Sequence, residues 1–436
     1  MPINVALLGG GLFAVGAYIP ALASNTSDVT LHTVWSRSQN SAQKVTTKAT
    51  EAGLKPATLH GDEGLIQILS DHSIDAVMIV LPISAQPALV IKALQAGKHV
   101  ISEKPVAKDI KTAKETIEIY EKEYQPKGLI WRVAERFHGI DFAHEPMLRH
   151  AGEVLRNPKL GPVLYWQYRG ENTVIDGTAW QATEWRTIPD YQGGEGAFWL
   201  LTITRTDRLN TGRFLFFLIS FLLLCIDSTS RSGFLLDAGV HQTAMLRTVL
   251  PIPPTTILSA TSLHRTHLPP HDTIMAIALP STASHTSAHG PPTKLKGIIA
   301  ESDIPAEIGK SAPHGTILLT FATPDLPSEF KVPGGLVVTT LHAQVVIEQK
   351  GGKWVITTTG AKDSGVKSET KDGPSEGVEV EVGMFGRAVV AAKQGHSANE
   401  EDYGTPRGAL WDLAVVEACL TSNGKPINVE ELIAGK

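Results

Sequence analysis

The chain is predicted to be α/β, with an N-terminal parallel sheet and a C-terminal α+β half built on an open, mostly antiparallel sheet. Three observations predict it. Short apolar runs alternate with longer stretches of helical spacing over residues 1–135, a triple-glycine turn follows the first of those runs, and from about residue 160 the pattern changes to period-two alternation of Thr, Val and Ile. Strands are expected at Ile3–Leu8, Leu31–Trp35, Ala76–Leu81, His99–Ser102 and Leu129–Ala134, each short, apolar and rich in β-branched residues, as strands buried on both faces are. Helical spacing is found between them at Leu12–Ser24, Ser41–Ala52, Ser84–Ala96 and Ile110–Glu123, which is the crossover that parallel pairing requires. A helical patch at Glu145–Arg156 leads into the alternating runs Val163–Tyr168, Thr256–Ser262, Thr316–Phe321 and Gly335–Glu348, and Gly408–Thr421 closes the chain as a helix. Pro280–Pro292, rich in Ser, Thr, His and Pro, and Gly360–Gly377, rich in charge and Gly, are expected to be exposed loops. The division implied is 1–137 for nucleotide binding and 138–436 for substrate and oligomer contacts.

Composition narrows the function. The 436 residues suffice for two or three domains, and 42% apolar with 19% charged residues excludes a solvated disordered chain. Acidic residues outnumber basic ones by 44 to 39, so nothing electrostatic favours nucleic acid or an anionic membrane as partner. A small-molecule substrate is the expected partner. Two cysteines, Cys225 and Cys419, make neither a disulfide framework nor a structural zinc site, and point to a reducing, cytoplasmic setting. The N-terminal run stops at glycines and lacks the basic start and cleavage site of a signal peptide. Phe214–Ile226 is strongly apolar but shorter than the ~20 residues a bilayer span takes.

The first chemical motif is Gly9-Gly10-Gly11-Leu12-Phe13-Ala14, between a strand and a helix. It fits G-x-G-x-x-G/A, the Rossmann dinucleotide fingerprint. Gly9 permits the tight turn, Gly11 lets the backbone approach a pyrophosphate, Ala14 keeps the helix close to the strand, and the unpaired N–H groups at the helix N-terminus attract the anion. The second strand runs into Ser36-Arg37-Ser38 with no carboxylate to hold a ribose 2′-OH, and a guanidinium between two hydroxyls suits a 2′-phosphate. NADP is therefore the expected cofactor, with NAD the alternative.

The longest specific stretch is Ala93-Leu94-Gln95-Ala96-Gly97-Lys98-His99-Val100-Ile101-Ser102-Glu103-Lys104-Pro105, preceded by Asp75–Pro82. It follows A-L-x-A-G-K-H-V-x-x-E-K-P and resembles the glucose–fructose oxidoreductase and inositol dehydrogenase family, often called GFO/IDH/MocA. The family's later pattern G-G-x-x-x-D-x-G-x-H is similar to Gly194 followed by Phe234-Leu235-Leu236-Asp237-Ala238-Gly239-Val240-His241, and Ala409–Leu413 with Glu417-Ala418 looks like its last helix. One departure is local: where the family commonly has Thr-Pro-Asn followed by His, this chain has Leu81-Pro82-Ile83 and Gln86.

The resemblance implies hydride transfer between a nicotinamide and a carbinol or carbonyl carbon of a sugar-, polyol- or inositol-like substrate. Carried over by motif, Lys104, Asp237 and His241 are catalytic, and Leu81, Pro82, Glu103 and Lys104 join Gly9, Gly11, Leu12, Phe13, Ala14, Ser36, Arg37 and Ser38 around the cofactor. It also implies a homodimer, or a higher homo-oligomer, through the C-terminal sheet. The chemistry suits the residues: a His titrates near ~6.5 and takes up a hydroxyl proton, an ammonium stabilises developing alkoxide, and no metal is needed. Asp237 and His241 share a face if their segment is helical. Plainer readings stand beside these: Asp237 as a helix N-cap, His241 as a core histidine, Lys104 as a surface charge. Glu135 is a candidate for the cleft wall or for a surface salt bridge. His264, His267, His271, His285 and His289 lack the regular spacing of metal ligands. The alternative function is a non-catalytic NAD(P)-binding regulator of the same fold, like the galactose co-repressors.

Residues 195–233 interrupt the family pattern. They run from an Arg/Thr-rich stretch through Phe/Leu saturation to Ser-Thr-Ser-Arg-Ser, and Gly194-Glu195 and Ser232-Gly233 permit GT…AG splice junctions that restore one Gly codon in frame. A translated, unremoved intron is the expectation, which would make this chain a defective isoform; a lineage-specific loop or a membrane-surface hairpin is the alternative.

Overall fold

The structure is a computed structural model describing residues 1–134, 136–137, 140–141, 144–178, 233–280, 313–327, 330–396 and 404–436. Six strands, β1 (Ile3–Leu8), β2 (Val29–Ser36), β3 (Ala57–His60), β4 (Ala76–Ile79), β5 (His99–Glu103) and β6 (Trp131–Ala134), pair in parallel in the order β3-β2-β1-β4-β5-β6. The connecting helices are α1 (Ile19–Ser24), entered through a π-helical turn at Ala14–Tyr18, then α2 (Gln39–Glu51), α3 (Gly61–Ser70), α4 (Gln86–Gln95) and α5 (Ile110–Ile119). Ser38 and Asp109 cap α2 and α5, each accepting a bond from a backbone N–H three residues on. Strand order reverses between β1 and β4, so a crevice opens at their C-terminal ends. Within this sheet and its helices, two elements escape the sequence pattern, β3 and α3. The edge strand β3, Ala-Thr-Leu-His, is never fully buried and so carries no continuous apolar run.

A short hairpin, β7 (Arg136–Phe137) and β8 (Ile140–Asp141), leads to α6 (Pro146–Leu155). The second sheet then takes β9 (Val163–Glu171), β10 (Thr256–Ser262), β11 (Thr273–Leu279), β12 (His314–Thr320), β13 (Gly335–Thr340), β14 (Ala343–Lys350), β15 (Lys353–Gly360) and β16 (Glu369–Pro374), with β17 (Ile427–Asn428) on its far edge. Only β9 and β12 pair in parallel; the other ladders are antiparallel. Helices α6, α7 (Phe234–Val249) and α9 (Pro406–Thr421) cover one face of it, and α8 (Gly377–Lys393) lies between β16 and α9 in the chain. The expected run Gly335–Glu348 resolves into the hairpin β13–β14, turned at Leu341-His342. The expected loop Gly360–Gly377 contains β16, a correction whose cause is exposure. As an edge strand on β15 it shows five of its six residues to solvent, so its composition matches a loop.

The C-terminal half also completes the first sheet. Val378, Val382, Phe385 and Val389 of α8 join Ile3, Val5, Leu22 and Val29 in one core. Glu145, wholly buried, accepts bonds from Ser375 Oγ and from the backbone N–H groups of Glu376 and Gly377 at the start of that helix. Among the described residues no helix is long and apolar enough to cross a membrane. The apolar run Phe214–Ile226, Cys225 and the suspected insert up to Ser232 lie outside the described residues, as do Glu135, His285, His289 and all of Pro280–Pro292 but Pro280.

Candidate active site

The glycine turn sits where β1 meets β4. Gly9 has a φ of 153°, and a Cβ there would fall 2.2 Å from Val80 O, so both its conformation and its neighbour demand glycine. A Cβ on Gly10 would fall 2.7 Å from Ser36 Oγ, whereas nothing lies within 4 Å of the corresponding position on Gly11. The turn is thus packed on its inner side and open at Gly11, a cradle that fits a pyrophosphate. Leu12 is exposed beside it, Phe13 is half-buried with its ring edge-on to Tyr18, and Ala14 is buried against the sheet. Of the three residues after β2, Ser36 is buried beneath Gly10, and Ser38 accepts from Ser41 N and donates to Ser41 Oγ. Arg37 is exposed and forms no ion pair among the described residues.

Across the crevice, β4 ends at Ile79 and the half-buried Leu81 and Pro82 lead into α4. Strand β5 ends at Glu103, which is buried and accepts a 2.8 Å bond from Tyr18 OH on the glycine-turn helix. The next residue, Lys104, reaches the second unit. Its Nζ lies 2.9 Å from Asp237 Oδ1 and 2.7 Å from Asp237 O, with side-chain exposures of 11% and 5%.

Asp237 is held by α7. Gly233 occupies the N-cap position and its carbonyl accepts from Asp237 N, so Asp237 stands one turn inside the helix and is not its N-cap. His241 is one turn further along and wholly buried on the same face. Side-chain bonds fix this helix: Tyr168 OH donates to Gln242 Oε1, Thr243 Oγ1 donates to Asp412 O, and the Arg247 guanidinium grips the Asp412 carboxylate of α9. Burial pushes the Tyr168 hydroxyl pKa well up, which keeps it a donor.

The structure thus brings Lys104 and Asp237 together, with His241 one turn along the same helix. Sequence reasoning passed over Tyr18, whose residue type marks no role at the site. Elsewhere, His264 pairs with Ser262 Oγ and His267 with Val174 O, and the Cys419 thiol is buried with its pKa pushed up to about 12.

A family model described as an oxidoreductase family with an NAD-binding Rossmann fold matches residues 3–126. Dehydrogenase FPY6 of Fusarium mangiferae is 31% identical over 297 residues, 65% of this chain and 69% of that protein. Among solved structures, an oxidoreductase from Thermotoga maritima superposes with a TM-score of 0.68 at 20% identity, covering 99% of this chain and 100% of that one. KijD10, a 3-ketoreductase from Actinomadura kijaniata solved with NADP and TDP-benzene, gives 0.61 at 16% identity over 97% and 98%. The two structural likenesses show the fold. The family model and the fungal relative go further: this chain belongs to the GFO/IDH/MocA family of NAD(P)-dependent oxidoreductases.

Proposed function

We infer that the enzyme prefers NADP and acts on a carbinol or carbonyl carbon of a small sugar-, polyol- or inositol-like molecule, with Lys104, Asp237 and His241 at the reacting centre. The observation that carries this is the Lys104–Asp237 pair bridging the two units at the mouth of the switch-point crevice. When bound, the nicotinamide supplies a two-electron acceptor or donor. Gly9, Gly10 and Gly11 would hold the pyrophosphate, and Arg37 a 2′-phosphate, since it is exposed beside the capped start of α2. An ammonium has three N–H bonds; two of Lys104's are committed to Asp237, which aims the third at a substrate oxygen. Charge developing on that oxygen is met by a fixed cation in a site with little water. His241 takes the hydroxyl proton in oxidation and returns it in reduction. A polyhydroxylated substrate matches a cleft that offers a cation and a carboxylate together, and KijD10 is itself a ketoreductase solved with a TDP ligand. A second copy of the chain is the partner we propose for the outer face of the second sheet.

Thermal-shift titration with NADP⁺ and NAD⁺, followed by a cofactor-absorbance screen of sugars and polyols, tests the reading. NADP⁺ is expected to stabilise the protein at lower concentration than NAD⁺, and Arg37→Ala to erase that difference without weakening NAD⁺. Equal stabilisation of the native protein by both would overturn the preference. Lys104→Met is expected to lower kcat/KM by about 10³-fold, the scale of losing a donor aimed at a developing oxyanion; unchanged turnover would remove Lys104 from the chemistry.

A further inference from the structure

Asp237 holds the head of Lys104, but a lysine stem is long and flexible, so its ammonium is aimed only when its base is held as well. The glycine-turn helix holds that base. At the end of β5, Lys104 N donates to Ala134 O of β6 at 3.1 Å, and Pro105 follows without an N–H, so the ladder stops there. Beyond that point side chains direct the chain. Glu103 Oε2 accepts from Lys104 N at 3.3 Å, while Oε1 of the same carboxylate accepts from Tyr18 OH at 2.8 Å. Ile101 and Glu103 share the face of β5 on which Tyr18 packs, as alternation along a strand requires. Tyr18 is wholly buried and Glu103 nearly so, which leaves little water to replace the phenol as donor.

Local structure sets where the phenol points. Tyr18 ends the π-helical turn Ala14–Tyr18, in which Ile19 N donates to Ala14 O, and this wide turn takes up an extra residue before α1 begins. The Phe13 ring stands edge-on to the phenol, 6.0 Å between centroids, and steadies it. We propose that Tyr18 is a positioning residue that holds the Glu103 carboxylate against Lys104 N and so fixes the base of the side chain whose ammonium Asp237 fixes at the other end. In this role it touches neither substrate nor cofactor. A slightly displaced ammonium meets developing charge less well, so the loss falls on kcat. That catalytic consequence rests on the role proposed above for Lys104, whereas the positional one stands apart from it.

Tyr18→Phe keeps the ring and its contact with Phe13 and removes only the hydroxyl. The first readout is the rate at which formaldehyde and cyanoborohydride methylate Lys104 in the full chain without cofactor, followed by peptide mass mapping. Lys98 is the internal control, since it is buried at the other end of the same strand with Nζ donating to Asp71 O and Ile74 O. Lys104 is expected to react about tenfold faster in the variant, the scale of one lost hydrogen bond to a carboxylate, and Lys98 no faster. With a sugar or polyol that the cofactor screen turns over, kcat is expected to fall about tenfold, with KM and the dinucleotide dissociation constant unchanged. Tyr18→His, which keeps a ring and an N–H donor, should recover part of both effects, and in a Lys104→Met background Tyr18→Phe should cost nothing further. Unchanged Lys104 labelling would overturn the assignment. So would equal acceleration at Lys98, an equal kcat loss in the Lys104→Met background, or a Tyr18→Phe protein that does not fold, each of which marks a structural role. If no sugar or polyol is turned over, the substrate reading fails by itself, and the labelling still decides whether Tyr18 holds Lys104.

Discussion

Lys104 and Asp237 are 133 residues apart in sequence and 2.9 Å apart in space, and both were reached from motifs that name residue types. Residues that act through burial leave no such mark. Tyr18 matters because its hydroxyl meets the buried Glu103 carboxylate 85 residues away. His99 shows how far a motif residue departs from its type. Although it lies within the motif stretch Ala93–Pro105, it is buried, and its Nδ1 accepts from Ile130 N. Burial, opposed by Asp75 and aided by Lys393, depresses its pKa to about 4. The unfolded chain takes up this proton near 6.5, so between about 6.5 and 4 it binds more protons than the folded chain, and stability falls as pH drops through that window. The full effect is on the order of 3 kcal/mol. Urea midpoints near pH 7 and near pH 4.5 should therefore separate wild type from His99→Asn, which keeps a side-chain acceptor but cannot be protonated. The variant should lose less on acidification; equal losses would show that other groups govern the acid limb.

At the scale of elements, strands buried on both faces and the helices between them are legible because their periodicity repeats a burial pattern. Elements that depend on partners from elsewhere are not. Helix α8 contains Val-Glu-Val-Glu-Val, an alternation that reads as strand, yet its buried residues Val378, Val382, Phe385 and Val389 follow the helical period. Glu145 decides the matter by accepting the N–H groups at its start, aided by Asn25 Nδ2 donating to Glu379 O. The glycine turn is the opposite case, since its spacing alone declared its position between β1 and the first helix. Gly9→Ala puts a methyl 2.2 Å from Val80 O at a backbone conformation that alanine resists, so β1 and β4 must move apart. A loss of about 3 kcal/mol in unfolding free energy is expected. Gly11→Ala, with open space around it, should leave stability near wild type while weakening cofactor binding. Reversed effects of these two substitutions on melting temperature would contradict the packing described here.

The whole molecule poses a question of coverage. The second sheet has helices on one face only among the described residues, and its other face shows apolar side chains to solvent among polar ones, Gln167, Thr316 and Arg169. The register sets Val337, Gln167, Thr316, Ile277 and Leu258 side by side across five strands, with Leu318, Met275 and Ala260 in the next outward row. Met275 is 62% exposed, Ile277 48% and Tyr165 46%. Exposed apolar side chains grouped on a broad sheet suit the second copy of the chain proposed above, which would pair with it isologously. Ile277→Lys places a charge in the middle of the row, where a two-fold interface would bring it close to its own mate and bury it unpaired. The substitution should convert a dimer or higher oligomer into a monomer in light scattering after gel filtration, with the melting temperature of the fold little changed, because Ile277 faces away from the core formed by Ile274 and Ala276. Wild type eluting as a monomer at micromolar concentration would sink the interface outright. A variant that stays oligomeric would move it off this face of the sheet.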